Sequence, residues 1–393
     1  MTPVRMPAMQ DVVVVGGGPA GLRAAACLAA AGFQTSLIEE HAAVGEPVHC
    51  TGIVAAEAFE EFSLSRRAAL NELAVARFWS PGGQQITYAP GRVEAVVVDR
   101  RVFDQDLLAT AQRSGVAVHR GARVTSITID AHGVTVTAQA DRMRARACIL
   151  ACGANYALHR QVGLGLPQLL LHTAQIEVPA RTAGDVELHF GSEVAPKGFA
   201  WVVPVIRGEQ ICARIGVMSD HAAPQYFDRL VARVGRRWGV TPESIGRPRQ
   251  KILPLAPISR TYADRLLAVG DAAGLVKATT GGGIYYSLVS ATLAADVLGS
   301  ALTENDLSAD RLRPYEHAWR QRLSDEFDAQ LALRVVAHRL TDADIEQLFE
   351  LARTDGIMPI VHRTASFNRH RKLILALFKH PPVRQLLLRR LAF

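Results

Sequence analysis

The stretch from Asp11 to Glu39 constrains this chain more than any other. Asp11–Val15 is a short β-branched run, the pattern of a strand buried on both faces. It runs straight into GGGPAG. An Ala-rich segment follows, which reads as a helix from about Pro19 to Ala31 closed by Gly32. Thr35–Ile38 then reads as a second strand, completing a β-α-β unit. Gly16, Gly18 and Gly21 fill the G-x-G-x-x-G positions between strand and helix. Gly16 permits the tight turn, Gly18 lets a pyrophosphate approach the backbone, and Gly21 allows close helix–strand packing. Pro19 and Ala20 open a helix whose N–H dipoles suit an anion. Glu39 ends the second strand, placed to accept hydrogen bonds from a ribose, with Glu40 beside it. A carboxylate there favours FAD or NAD over a 2′-phosphate. A merely Gly-rich turn explains the glycines but not the acidic residue in register.

At 393 residues the chain has room for two or three domains, and 49% hydrophobic with 21% charged residues is ordinary globular composition. Five cysteines without C-x-x-C spacing argue against a disulfide framework or zinc site and suit a cytoplasmic protein. The opening MTPVRMPAMQ lacks the apolar core of a secretory leader, and no apolar run nears the ~18–20 residues that span a bilayer. Strands are expected at Ala74–Ser80, Gln84–Tyr88 and Ala95–Val98, the first two joined by a Pro81-Gly82-Gly83 turn. Val102–Ser114 reads as a helix. From Leu169 to Ile252 strand signals dominate around one helix near Pro224–Trp238. Leu266–Val269 is another buried strand. Beyond Ile284 the chain reads as helix, with breaks near Pro314, Pro359 and Pro381-Pro382. The predicted fold class is α/β with an α+β cap: a Rossmann-like dinucleotide domain (1–73, 93–166, 257–300) interleaved with a sheet-rich cap (74–92, 167–256) and followed by a helical region (301–393).

Two distant elements select FAD. In LLAVGDAAG, Asp271 follows Gly270 and a buried strand, where its carboxylate can meet a hydroxylated chain. In TTGGGIYYSL, Gly281, Gly282, Gly283 and Ile284 open another helix, and their N–H groups can stabilise negative charge on a reduced flavin. Taken singly, Asp271 is equally an N-cap and the glycines a linker. Together they resemble the glutathione-reductase-2 flavoprotein group, which includes the aromatic hydroxylases. VDRRVFD resembles that group's V-x-R-x-x-F-D segment, which implies a cofactor contact at Arg100. ACGANYALHR stands where the group has G-A-D-G-x-x-S-x-x-R; Gly153 and Arg160 match, and Asn155 replaces the aspartate.

Three further stretches resemble the geranylgeranyl reductase family. EEHAAVGEPVHCTGIV matches its E-x-x-x-x-x-G-x-P-V-x-C segment at Gly45, Pro47, Val48 and Cys50. PKGFAWVVP is similar to P-x-x-Y-x-W-x-F-P, with Phe199 and Val203 as replacements. GDAAGLVKATTGGGIYYSLVSATLAA follows the family's G-D-A-A-G…T-G-G-G-I run, with Ala278 at a usual proline. The resemblance implies an FAD enzyme that saturates C=C bonds of a prenyl chain on a lipid-like substrate. It places Cys50, Trp201 and Phe199 at the reacting alkene, and Cys50, Gly52 and Val124 beside the cofactor. An isolated trisubstituted alkene is not polarised for hydride attack, so tertiary cation character suits a dry, aromatic-lined site. Trp201, Phe199 and Phe190 can supply that lining, and His49 is a candidate acid at neutral pH. The ordinary alternatives are a core aromatic, a structural cysteine and a structural histidine. The runner-up activity is a monooxygenase or halogenase, since PKGFAWVVP also resembles W-x-W-x-I-P. A non-catalytic prenyl-lipid binder is a third class.

The electron donor, NAD(P)H or a ferredoxin-like protein, has no second glycine fingerprint to mark it. From Gly356 to Phe393 there are eight Lys/Arg and no acid, and removing them from the net charge of +7 leaves −1. Leucines interleave with these cations, a pattern closer to an anionic membrane surface than to nucleic acid. The expected location is therefore cytoplasmic with peripheral membrane contact. A packed helix with a solvated basic face is the plain alternative.

Overall fold

The computed structural model describes residues 9–241 and 245–391. Most of the N-terminal stretch read for a leader, and Ala392–Phe393 of the basic tail, lie outside the described residues. Strand Gln10–Val15 pairs in parallel with Thr35–Ile38 on one side and Asp141–Leu150 on the other. Ala117–His119 pairs in parallel beyond Thr35–Ile38 and Leu266–Ala268 beyond Asp141–Leu150, with Tyr262–Ala263 as an antiparallel edge outside Leu266–Ala268. Val12, Val13 and Val14 are wholly inaccessible, which is why the run is continuously apolar rather than alternating. Helices Arg100–Arg113, Pro19–Ala30 and Ile284–Glu304 pack side by side on this sheet.

By length and composition Ile284–Glu304 is able to cross a membrane, contrary to the expectation that no such segment exists. Its Ala, Ser and Thr residues dilute the apolar run in the sequence. In the fold 72% of its apolar window is buried, against the first helix and helix Ala309–Ala337, so it is a core helix.

A second sheet has the order Arg249–Pro254, Leu170–Pro179, Gln210–Ser219, Phe199–Arg207, Val186–His189, Ala76–Trp79, Gln85–Tyr88. It is antiparallel except where Val186–His189 joins Ala76–Trp79 in parallel. Helix Ala223–Trp238 covers one face through Phe227, Leu230 and Val234, which meet Ala174, Val202 and Ile215. The alternate residues, Arg214, Trp201, Phe199 and Met218 among them, lie on the opposite face.

Residues 53–73 give no clear element in the sequence. They hold strand Ile53–Ala55, helix Ala56–Glu61 and strand Ala69–Leu73, the two strands flanking Ala95–Val98. Strands of three to five residues are too short to show a period. Pro314 does not break the chain as expected; it sits inside helix Ala309–Ala337. Only one backbone bond near the N-terminal end is lost, and Leu312, Tyr315 and Trp319 bury on either side. Helices Asp342–Thr354, Ile357–Thr364, Arg371–Lys379 and Pro381–Leu391 complete the described chain.

Candidate functional site

The carboxyl ends of the parallel strands open onto a cavity of about 240 Å³. Gly16, Gly18, Glu39 and Glu40 line one end; Val124, Gly153, Arg100 and Cys50 line the rest. The glycine pattern is spatially necessary. A Cβ on Gly21 would lie 2.0 Å from the Gly16 carbonyl oxygen, and one on Gly16 would lie 2.3 Å from that of Ala151. Gly18 has nothing within 4 Å of such an atom, leaving room against the backbone. The helix behind it starts at Pro19 and Ala20 with no side-chain cap, so its N–H groups are free for an anion. Glu39 is held in position by the Gly17 N–H, which donates to Oε2 at 2.7 Å, and by the His41 N–H, which donates to Oε1 at 2.9 Å.

Toward the second sheet the wall is Cys50. The Gly52 N–H donates to Sγ at 3.3 Å, and the Arg100 guanidinium also contacts it. Gly52 has φ +70°, and a Cβ there would strike the Val98 carbonyl and Arg214. Arg100 donates three bonds to Asp104, of 2.9, 3.1 and 3.3 Å. Burial opposes its charge, but Asp104 and Cys50 outweigh burial and raise its pKa. Burial, and then nearby Lys251 and Arg249, lower the His49 pKa and so disfavour its charged form.

Gly270, Asp271 and Gly281–Ile284 do not line this cavity. A Cβ on Gly270 would lie 2.9 Å from the Ala20 Cβ, so the Asp271 turn packs on the start of the first helix. Tyr156 donates to the Asp271 carbonyl at 2.8 Å, tying that turn to the loop that carries Gly153 and Asn155. A Cβ on Gly283 would sit 2.8 Å from Asp271 Oδ1, and one on Gly281 2.4 Å from Leu253 of the second sheet. Trp201 and Phe199 also stand outside the cavity. Their rings are 5.7 Å apart and pack with Met218, Leu253 and Ala278, next to the Gly281 loop. Phe190 continues the row, 6.3 Å from Phe199. The Trp201 Nε1–H is buried and has no partner.

Sequence reasoning missed an ion network between the sheets. Glu177 faces Arg214 across paired strands and accepts from it at 2.8 Å and from Arg207 at 2.6 Å; Arg207 also pairs with Asp99. Arg214 in turn donates to the carbonyls of Thr51 and Val98, locking the segment after Cys50 to the second sheet. Only the strand register brings these charges together, and one sequence does not display it. A second, larger cleft of about 1220 Å³ opens beside this network and shares Cys50 and Arg100 with the first. Lys277, missed as well, lies buried beneath the Gly281 loop.

Residues 10–182 match the Pyridine nucleotide-disulphide oxidoreductase family and residues 197–354 the Lycopene cyclase protein family. The chain superposes on a geranylgeranyl bacteriochlorophyll reductase-like protein from Thermoplasma acidophilum with TM-score 0.82 and 24% identity, covering 97% of this chain and 99% of the other. A halogenase variant in complex with FAD superposes with TM-score 0.70 and 15% identity over 98% and 91% of the two chains. Both likenesses show the fold: a Rossmann-type flavoprotein. A digeranylgeranylglycerophospholipid reductase of Methanocaldococcus jannaschii is 30% identical over 361 residues, 86% of this chain and 90% of that protein. With that identity over most of both lengths, the chain belongs to the digeranylgeranylglycerophospholipid reductase family.

Proposed function

We propose that this protein is an FAD-dependent reductase that saturates C=C bonds of a prenyl chain on a lipid-like substrate. The observation that carries the reading is the apolar wall of Trp201, Phe199, Met218 and Leu253, packed directly against the glycine loop at Gly281. FAD, when bound, supplies the hydride. In this reading Gly16–Gly21 and Glu39 hold the AMP end, and Arg100, Val124 and Gly153 flank the middle. Asp271 and Gly281–Ile284 meet the ribityl chain and pyrimidine edge. Trp201 and Phe199 exclude water and present π faces to cationic character on the alkene. Cys50, fixed by Gly52 and Arg100, is the candidate to handle the alkene proton.

The division into FAD domain, cap and helical region is part of the same proposal. So are a nicotinamide or ferredoxin-like donor and contact with a lipid surface. The test is anaerobic: reduced protein is mixed with a geranylgeranyl lipid and the product is weighed by mass spectrometry. Gain of two hydrogens per saturated bond, without oxygen, is expected. Strict dependence on oxygen, or a product heavier by one oxygen or halogen, would instead establish the monooxygenase or halogenase activity.

A further inference from the structure

Lys277 is 2% exposed and lies inside the loop assigned above to the flavin. Its N–H donates to the Gly282 carbonyl at 3.2 Å, and its carbonyl accepts from the Gly281 N–H at 2.8 Å. The side chain runs beneath Gly282. A Cβ on that glycine would sit 2.7 Å from Cε and 3.2 Å from Nζ. The amine therefore lies directly under the Gly282 backbone. Nζ donates to the Phe367 carbonyl at 2.9 Å and to Asn368 Oδ1 at 3.1 Å, and stands 4.3 Å from the Phe367 ring centre. No carboxylate among the described residues is within ion-pair distance of it.

The charged and titratable groups around Lys277 come from four packed segments. Glu57, on helix Ala56–Glu61, accepts from Asn368 Nδ2 at 3.0 Å. Glu326, on helix Ala309–Ala337, accepts from the N–H groups of His370 and Arg371. His370, neutral because burial holds its pKa down to about 3, has Nδ1 2.6 Å from Thr279 Oγ1. Asp271 stands on the other side of Gly283. Burial pulls the lysine down to about 7, against the pull of Glu57 and Glu326, which raise it. A buried lysine with neutral partners is thus poised between its two charge states.

We propose that Lys277 is a positioning residue for the flavin's redox balance, taking a proton from solvent when the flavin is reduced. The inference rests on the placement of Gly281–Ile284 at the pyrimidine edge. Two electrons and one proton arriving from the donor as hydride leave one negative charge on the reduced ring system. That charge, in a site of low dielectric, raises the proton affinity of Nζ, and one further proton crosses from solvent to form the ammonium. Below the lysine's oxidised-state pKa the group is already charged and no extra proton is taken. Above it, one is taken per two electrons, up to the raised pKa of the reduced state.

The test is a redox titration of the holoprotein with dithionite and indicator dyes from pH 5.5 to 9.5, read from the flavin spectrum. Wild type should show a break near pH 7, above which the midpoint falls more steeply by about 30 mV per pH unit, the two-electron equivalent of tenfold. Lys277→Met should abolish the break and lower the potential on its acid side. Glu57→Gln keeps the oxygen that accepts from Asn368 and removes a charge that favours the ammonium, so the break should move to lower pH. A straight wild-type line, or a break that survives Lys277→Met, overturns the inference while leaving the flavin reading intact. Should Lys277→Met not fold, the wild-type and Glu57→Gln profiles decide. A protein that binds no FAD overturns the flavin reading, and this inference with it.

Discussion

Trp201 and Gly216 stand directly opposite one another on paired cap strands, and the indole lies over the bare glycine. A Cβ on Gly216 would sit 2.3 Å from the ring carbon Cζ2 and 2.8 Å from Nε1, so this slot exists only because the residue has no side chain. Gly216→Ala must move the ring. Overpacking of this kind costs about 1–3 kcal/mol. The variant should lose stability in that range, shift the emission assignable to Trp201 by comparison with Trp201→Phe, and slow alkene turnover while retaining FAD. Full turnover with a displaced ring would mean that Trp201 is core and not substrate wall. Sequence identified the tryptophan through a motif resemblance, but the glycine 15 residues later had no signal of its own. Its role appears only when the strands pair.

At the scale of elements, the cap is pinned by Glu187 on strand Val186–His189. Arg237, from helix Ala223–Trp238, donates to its two oxygens at 2.9 and 2.6 Å, and His189 Nε2 is 3.0 Å away. Arg237 also stacks over Trp79, 4.6 Å from the ring centre. Burial raises the Glu187 pKa, but the bonds from His189 and Arg237 outweigh it and hold the carboxyl at about 2. A depressed carboxylate stabilises the fold above its unfolded pKa and loses that stabilisation as pH falls toward its folded one. The window here is about pH 4.5 down to 2. At pH 7 the contribution is at most about 3 kcal/mol. Glu187→Gln should therefore lower the melting temperature at pH 7, with the difference from wild type shrinking through that window. An unchanged difference at pH 3 and pH 7 would refute ionisation as the cause. The elements themselves were legible where punctuation is strong: the Pro81-Gly82-Gly83 hairpin, the glycine-bounded first unit and the helix near Pro224 all fall within a residue or two of expectation. The parallel join of Val186–His189 to Ala76–Trp79 was not legible, because strands 110 residues apart (Val186 opposite Ala76) carry no local mark of their pairing. The Glu177–Arg214–Arg207 network was hidden for the same reason.

Over the whole molecule, the basic C-terminal region serves first as structure. Ile374, Val383, Leu386 and Leu387 are buried, and the last three cluster with Val336 and Ile357; among the tail's large aliphatic residues whose burial is described, only Leu375 and Leu388 are clearly exposed. The leucines that suggested an apolar membrane face thus point mainly inward. The charge is different. Arg390 pairs with Asp344 and Arg371 with Asp325, whereas Arg363, Arg369, Lys372, Lys379, Arg384 and Arg389 are exposed with no carboxylate partner among the described residues. Contact with a bilayer through this region would then be electrostatic rather than insertive. Each cation near an anionic surface contributes about 1 kcal/mol, and the attraction fades as the Debye length falls from about 30 Å at 0.01 M to 3 Å at 1 M salt. Removing the region would strip the Val336–Ile357 cluster of its cover, so truncation confounds binding with unfolding. Neutralising the six exposed, unpaired cations to Gln leaves the apolar packing untouched. Wild type should sediment with anionic vesicles at low salt and release as salt rises, and the neutralised variant should stay in solution at every salt concentration with its melting temperature within a few degrees of wild type. Equal binding to neutral vesicles, or salt-indifferent binding by both proteins, would show that the cations only solvate the helical region and that a lipid substrate reaches the site by another face.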